Sequence, residues 1–116
     1  MKIRITVGDV EFDGQLYSNP VAEQLWAMLP TEVLLRDFNN VEKVGRVAAP
    51  LTLRGVPESD APGPGEIGYY APTQGLVLYY GHVGKWPGLV RLGRFDLNLD
   101  VLEALPDVSR ALIELH

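Results

Sequence analysis

Arg46 is the residue whose type and surroundings point most directly to chemistry. It stands in Val44-Gly45-Arg46-Val47, a short apolar stretch of an acidic chain, where a guanidinium can present its planar fork to a carboxylate or carbonyl oxygen. The ordinary alternative is a surface arginine paired with Glu42 or another acid. His82 follows Tyr79-Tyr80-Gly81 and opens a loop, so its imidazole is available for proton transfer or hydrogen bonding. The other histidine, His116, ends the sequence and shares no element with His82, so no histidine-based metal site is expected. Trp86, in Trp86-Pro87-Gly88, reads either as a rigid aromatic anchor at a loop tip or as a ring folded over the end of the fold. Tyr69-Tyr70 and Tyr79-Tyr80 fall on two adjacent strand-like runs, so one member of each pair points inward and the other outward, and the outward pair can wall a groove.

Other chemistry is excluded. There is no cysteine, which removes thiol nucleophiles, disulfides and Cys-ligated metal or iron–sulfur sites. Gly63-Pro64-Gly65-Glu66-Ile67-Gly68 fits Gly-x-Gly-x-x-Gly literally but leads into a strand, not a helix, and Pro64 lacks an N–H that a phosphate would use. No Gly-Lys-Ser/Thr phosphate loop and no Gly-x-Ser-x-Gly elbow is present, and Ser18, Ser59 and Ser109 all fall on turns or element ends. Asp96 and Asp100 flank the start of a helix-like segment, where capping and the helix dipole account for them. With 15 acidic against 10 basic side chains and a net charge of −5, neither a nucleic-acid backbone nor an anionic membrane surface is an expected partner. No cofactor is implied.

These residues must be positioned by strands. Ile3, Ile5 and Val7, then Val10, Phe12, Gly14 and Leu16, alternate with polar residues as a hairpin would. Asn19-Pro20 caps a helix whose apolar positions Val21, Leu25, Met28 and Leu29 stop at Pro30. Strands are expected around Glu32–Arg36, Val41–Val47 and Leu51–Leu53, followed by a Pro- and Gly-rich surface loop over Arg54–Gly65. Ile67–Ala71 and Leu76–Tyr80 form two strands across Pro72-Thr73-Gln74-Gly75, and Leu89–Phe95 forms another. A short helix over Asn98–Leu105 and a last strand through Ala111, Ile113 and Leu115 complete a series of eight or nine short strands with two short helices. Such counts suit a closed barrel within one domain spanning residues 1–116. No stretch reaches the roughly 18 apolar residues of a membrane span, and a cytoplasmic location is expected.

Gly65-Glu66-Ile67-Gly68-Tyr69-Tyr70-Ala71-Pro72, Gly75-Leu76-Val77-Leu78-Tyr79-Tyr80-Gly81 and Gly88-Leu89-Val90-Arg91-Leu92-Gly93-Arg94-Phe95 resemble a family of small bacterial and archaeal cyclophilin-like domains of unassigned biochemical role. The resemblance implies a mainly β fold: a closed cyclophilin-like barrel of about eight strands capped by two short helices. It extends distantly to the true cyclophilins, which isomerise Xaa-Pro bonds. Their Phe-His-Arg-Val-Ile-Pro stretch corresponds to Val44–Pro50, so that Arg46 matches the catalytic arginine. Leu51 stands for their platform phenylalanine, Arg54 for a glutamine and Leu89 for a histidine, and Trp86 lies two residues from the register of their ligand-contacting tryptophan. The implied site is an outer groove of Arg46, Leu51, Arg54, Trp86 and Leu89, with His82 nearby and Arg54 and Arg91 joining Arg46 in an anion-binding patch. Three functions follow as expectations: a binding module for a small anionic ligand or peptide, a divergent prolyl isomerase, or a subunit that self-associates through an exposed apolar patch.

Overall fold

The alternation of Ile3, Ile5 and Val7 with polar residues makes β1 (Lys2–Val7), which turns at Gly8-Asp9 into β2 (Val10–Leu16). In the computed structural model, which describes all 116 residues, these strands are followed by α1 (Pro20–Ala27), β3 (Thr31–Phe38), β4 (Glu42–Arg46), β5 (Ser59–Asp60) and β6 (Glu66–Tyr70). After a 3-10 turn at Ala71–Thr73 come β7 (Gly75–Tyr79), β8 (Trp86–Pro87), β9 (Leu89–Phe95), α2 (Leu99–Ala104) and β10 (Val108–Leu115). Eight strands close into an antiparallel barrel in the order β1-β10-β3-β4-β7-β6-β9-β2, which leaves no free edge. β5 and β8 pair separately as a two-stranded ribbon.

Inward residues of every barrel strand except β4 fill the apolar core, among them Ile5, Phe12, Val33, Leu35, Ile67, Tyr69, Leu76, Leu78, Leu92 and Ile113. α1 links the end of β2 to the start of β3 and α2 links β9 to β10, so the alternating strand directions put the helices at opposite ends of the barrel. Each helix starts on an asparagine. The Asn19 side chain accepts from the N–H groups of Val21 and Ala22, and that of Asn98 accepts from Asp100 N–H. Val21, Ala22 and Leu25 of α1 and Leu102 of α2 carry the apolar burial.

Leu51–Leu53 is not a strand. β4 already has β3 on one side and β7 on the other, so the segment after it finds no backbone to pair with. It is held by side chains instead. Leu51 N–H donates to the Tyr69 hydroxyl at 3.0 Å, Thr52 N–H donates to Gln24 Oε1 at 2.9 Å, and Gln24 Nε2 donates to the Thr52 carbonyl at 2.8 Å. The Tyr69 contact is buried, so Tyr69→Phe leaves Leu51 N–H unsatisfied and is expected to cost about 1–3 kcal/mol. Urea denaturation of the variant against the parent checks this. The loop over 54–65 is likewise less open than its composition suggests, because β5 lies within it.

One inward position carries a charge. Lys43 is only 2% exposed and points into the barrel end beneath α2. Its ammonium donates to the Leu105 carbonyl at 3.1 Å and lies 3.2 Å from Asp37 Oδ1, which also accepts from the Tyr80 hydroxyl.

Candidate functional site

The outward residues of β3, β4 and β7 make a floor with a defined grid. Phe38, Glu42 and Tyr79 stand side by side at one end. Arg36, Val44 and Val77 form the middle row. At the other end Arg46, Gly75, Tyr70 and Leu89 continue across β6 to β9, with Leu34 two residues before Arg36 on the same face of β3. Val44 and Val77 keep the β4–β7 part of the floor low between larger residues, Arg36 among them on the β3 side, so the face is concave. The wall comes from topology: β7 and β9 are separated by β6, and the chain from Tyr80 to Gly88 must cross outside β6 to join them. Its end is fastened by Ala71 N–H on the Gly88 carbonyl and Gly88 N–H on the Glu58 carbonyl, both 2.9 Å.

The resulting groove has a volume of about 890 Å³. Of the six large apolar residues that the fold leaves exposed, three, Leu34, Phe38 and Trp86, line it. Exposed apolar surface gathered in a concavity is a general feature of ligand and interaction sites. Beneath the crossover, Val77, Tyr79 and Leu89 form a small core outside the barrel, packed with Val44, Tyr70 and Val83. Tyr79 lies across Gly68: a Cβ at that glycine would come within 2.7 Å of the tyrosine ring. The outward tyrosines are therefore Tyr70 and Tyr79, and both line the groove.

Four of the expected site residues meet here. Arg46 and His82 line the groove from opposite sides of its floor and crossover, Leu89 lies at its base, and Trp86 stands on its wall, 53% exposed. The Trp86 ring is neither free at a loop tip nor folded over the barrel end, because its indole N–H donates to the Val83 carbonyl at 2.6 Å. Three expected residues lie elsewhere. Leu51 is in the main core, and Arg54 is exposed and takes no part in the groove. Arg91 is committed to Glu66 through Nε at 3.0 and 2.8 Å and Nη2 at 2.7 Å, with the Tyr17 hydroxyl donating to the same carboxylate at 2.7 Å. The anion patch of Arg46 with Arg54 and Arg91 does not form. Arg36, one strand over, is the other arginine that lines the groove with Arg46.

Arg36 and Arg46 make no ion pair and no side-chain hydrogen bond, and Arg46 does not bridge to Glu42. Glu42 is equally unpartnered. Burial, helped by the nearby Asp37 charge, raises its carboxyl above the ordinary value. A raised folded-state value means that ionisation in the fold is penalised. The penalty is absent below the unfolded value of about 4.3 and develops as pH rises through the window above it. Glu42→Gln is therefore expected to raise the melting temperature at pH 7, with the gain disappearing toward pH 4, as differential scanning calorimetry at the two pH values would show.

Leu34, Arg36, Phe38 and Glu42 were not singled out by sequence, although β3 carries a usable signal: its outward phase holds Leu34 and Phe38 where a solvent face would be polar. A shallower depression of about 460 Å³ near Lys2, Asp13, Arg94 and His116 is polar, and its Asp13 is already engaged by Arg4 at 3.4 Å and His116 at 3.5 Å. No three His, Asp or Glu side chains converge as metal ligands would, and no helix is long and apolar enough to cross a membrane.

The fold is similar to the solution structure of a hypothetical protein from Archaeoglobus fulgidus, with a TM-score of 0.77 and 15% sequence identity over all of this chain and 95% of that one. No curated protein matches the sequence. The sequence matches the model of the cyclophilin-like family over residues 5–114, nearly its whole length, and the chain belongs to that family.

Proposed function

We propose that the protein is a binding module whose outer groove holds a peptide or small anionic ligand, with Arg46 and Arg36 engaging a carboxylate or carbonyl group and little or no prolyl isomerase activity. The observation that carries this reading is the pair of arginines left without acidic partners on an apolar concave face, in a chain where acids outnumber bases. An unpaired guanidinium beside apolar surface keeps its full hydrogen-bonding capacity for a ligand. Trp86, Leu34 and Phe38 supply the apolar contact that gives such a site affinity. Their exposure is accounted for by the groove itself, which leaves Val101 on α2 and Val108 and Leu115 on β10 as the exposed large apolar residues open to self-association. Cytoplasmic residence belongs to the same proposal.

The isomerase alternative rests on Arg46 alone. Lowering the barrier of about 18–20 kcal/mol to peptide-bond rotation needs both a cation near the proline nitrogen and an apolar grip on the ring. Leu51, in the position of the platform phenylalanine, is buried in the main core, and Arg54 does not line the groove. Titration of labelled protein with an N-succinylated Ala-Pro peptide, followed by NMR, tests both readings. Shifts are expected at Arg46, Val44, Val77 and Trp86, with Arg46→Ala weakening binding at least about tenfold, the scale of one hydrogen bond to a charged group. Exchange spectroscopy is expected to show no acceleration of the peptide's cis–trans exchange. Unchanged affinity in Arg46→Ala, or shifts confined to other faces, would sink the binding reading, and accelerated exchange lost in Arg46→Ala would establish the isomerase.

A further inference from the structure

The groove is not uniformly basic. Alternate residues of a strand lie about 6.6–6.8 Å apart, so Glu42, Val44 and Arg46 on the outward face of β4 set a carboxylate and a guanidinium on Cα positions about 13 Å apart with an apolar residue between them. Arg36 is the register partner of Val44 and adds a second cation, while Phe38 and Tyr79 flank Glu42. No group in the protein neutralises either end. Lys43, the neighbouring cation in sequence, points to the opposite side of the sheet and is used by Asp37 and the Leu105 carbonyl. A half-buried acid that makes no ion pair or hydrogen bond stabilises nothing in the fold, and in a concavity it keeps its full capacity to meet a cationic group of a ligand.

Between the two ends the strip is apolar along β4 and β7, with Arg36 at its β3 edge. Val44 and Val77 pave it, and Trp86 and Leu89 border it. A matching occupant must carry a cation and an anion at its two extremities, with apolar groups between. An extended peptide advances about 3.3–3.4 Å per residue, so three or four residues with free ends span this distance.

We propose that the groove takes a short zwitterionic peptide of three or four residues lying along β4, its amino end at Glu42 and its terminal carboxylate at Arg46 and Arg36. The inference rests on the groove being the binding site, and it adds direction, length and a requirement for both free ends. Recognition of this kind discriminates against internal segments of longer chains, because an acylated amino end leaves Glu42 unpaired and an amidated carboxyl end leaves the arginines unpaired.

The test compares four forms of one probe, Ala-Ala-Pro-Ala: free at both ends, N-acetylated, C-amidated and blocked at both ends. Affinity is measured by titration calorimetry and the site by chemical-shift mapping. Each block is expected to weaken binding about tenfold or more, the scale of one lost hydrogen bond to a charged group. Glu42→Gln is expected to abolish the difference between the free and acetylated forms while preserving that between carboxylate and amide. Arg46→Gln is expected to do the reverse. Both substitutions are conservative and outward-facing, and an unchanged pattern of dispersed amide signals verifies their folds. Equal affinity for all four forms, with shifts still in the groove, overturns this inference and leaves the binding module intact. Preference for the acetylated form overturns the assigned direction. Absence of binding by every form, together with failure of the succinylated peptide, overturns both.

Discussion

Asp37→Ala is expected to destabilise the protein by about 3–5 kcal/mol, the cost of leaving a buried charge without its partner. The buried charge is Lys43. Its ammonium is enclosed at the barrel end and satisfied by Asp37 and the Leu105 carbonyl just beyond α2, while Tyr80 donates to the same Asp37 oxygen. Removing the carboxylate strands the ammonium and the Tyr80 hydroxyl together. Lys43→Met in the Asp37→Ala background is expected to recover much of the loss, because an apolar chain of similar length then replaces an unpaired charge. Equilibrium urea unfolding of the two variants checks both steps, and a loss below about 1 kcal/mol for Asp37→Ala, the range of an exposed pair, would show that the network is solvated.

The same network sets an acid limit. Burial alone would raise the Asp37 carboxyl, but the Tyr80 hydroxyl, the Lys43 ammonium and the Asn40 backbone together hold it below its ordinary value. Glu66 behaves similarly: burial raises it, and Arg91, the Gly63 N–H and Tyr17 bring it down. A depressed folded-state value contributes stability that is complete above the unfolded values of about 3.9 and 4.3 and is lost as pH falls through the folded ones. Acid unfolding therefore gathers below about pH 4, and Asp37→Ala removes part of its slope.

Strands were legible wherever their environment is two-sided in the simple sense, one face core and one face water, as in β1 and β2. The eight barrel strands and the two helices followed from alternation, proline and glycine punctuation and the asparagine caps, while the closed cyclophilin-like barrel came from the family resemblance and the order of its strands was not read. Legibility fails where a second, non-local requirement is imposed on the same residues. Leu51–Leu53 has the composition of a strand, but closure of the barrel around β4 consumed the partners it needed. Lys43 occupies an inward position that period-two reading assigns to the core, and its partners Asp37, Tyr80 and Leu105 are brought to it by three different parts of the chain. The site divides in the same way. Arg46, His82 and Trp86 carry their chemistry in their side-chain types and could be singled out one at a time. Glu42 and Arg36 become informative only once register puts them on the same face as Arg46, and Arg91 is lost from the site because Glu66, fixed at the start of β6, captures it.

Tyr79→Ala is expected to cost about 3–5 kcal/mol, as large aromatic truncations in packed surroundings do, although Tyr79 lies outside the barrel. The crossover from Tyr80 to Gly88 seals this ring against Val77 and Leu89, so that removing it hollows the floor of the groove. Tyr79→Phe is expected to be nearly neutral, since the hydroxyl makes no hydrogen bond and the ring makes the contacts. Gly68 is the reason the ring can lie where it does. A Cβ there would meet the ring at 2.7 Å and its hydroxyl oxygen at 2.9 Å, so Gly68→Ala forces the ring off β6 and is expected to cost about 1–3 kcal/mol. In the Tyr79→Ala background the same methyl enters vacated space and is expected to cost nothing or to stabilise. The difference between the two backgrounds, about 1–3 kcal/mol in a denaturation-based double-mutant cycle, measures the coupling between one glycine and one ring. Equal costs in both backgrounds would mean that the ring is not seated on Gly68. The ring also faces the groove beside Glu42, so displacing it with Gly68→Ala alters the shape at the acidic end while Arg46 and Arg36 stay in place. A loss of affinity in Gly68→Ala for the peptide with a free amino end, larger than the loss for its acetylated form, would tie the glycine to recognition as well as to packing.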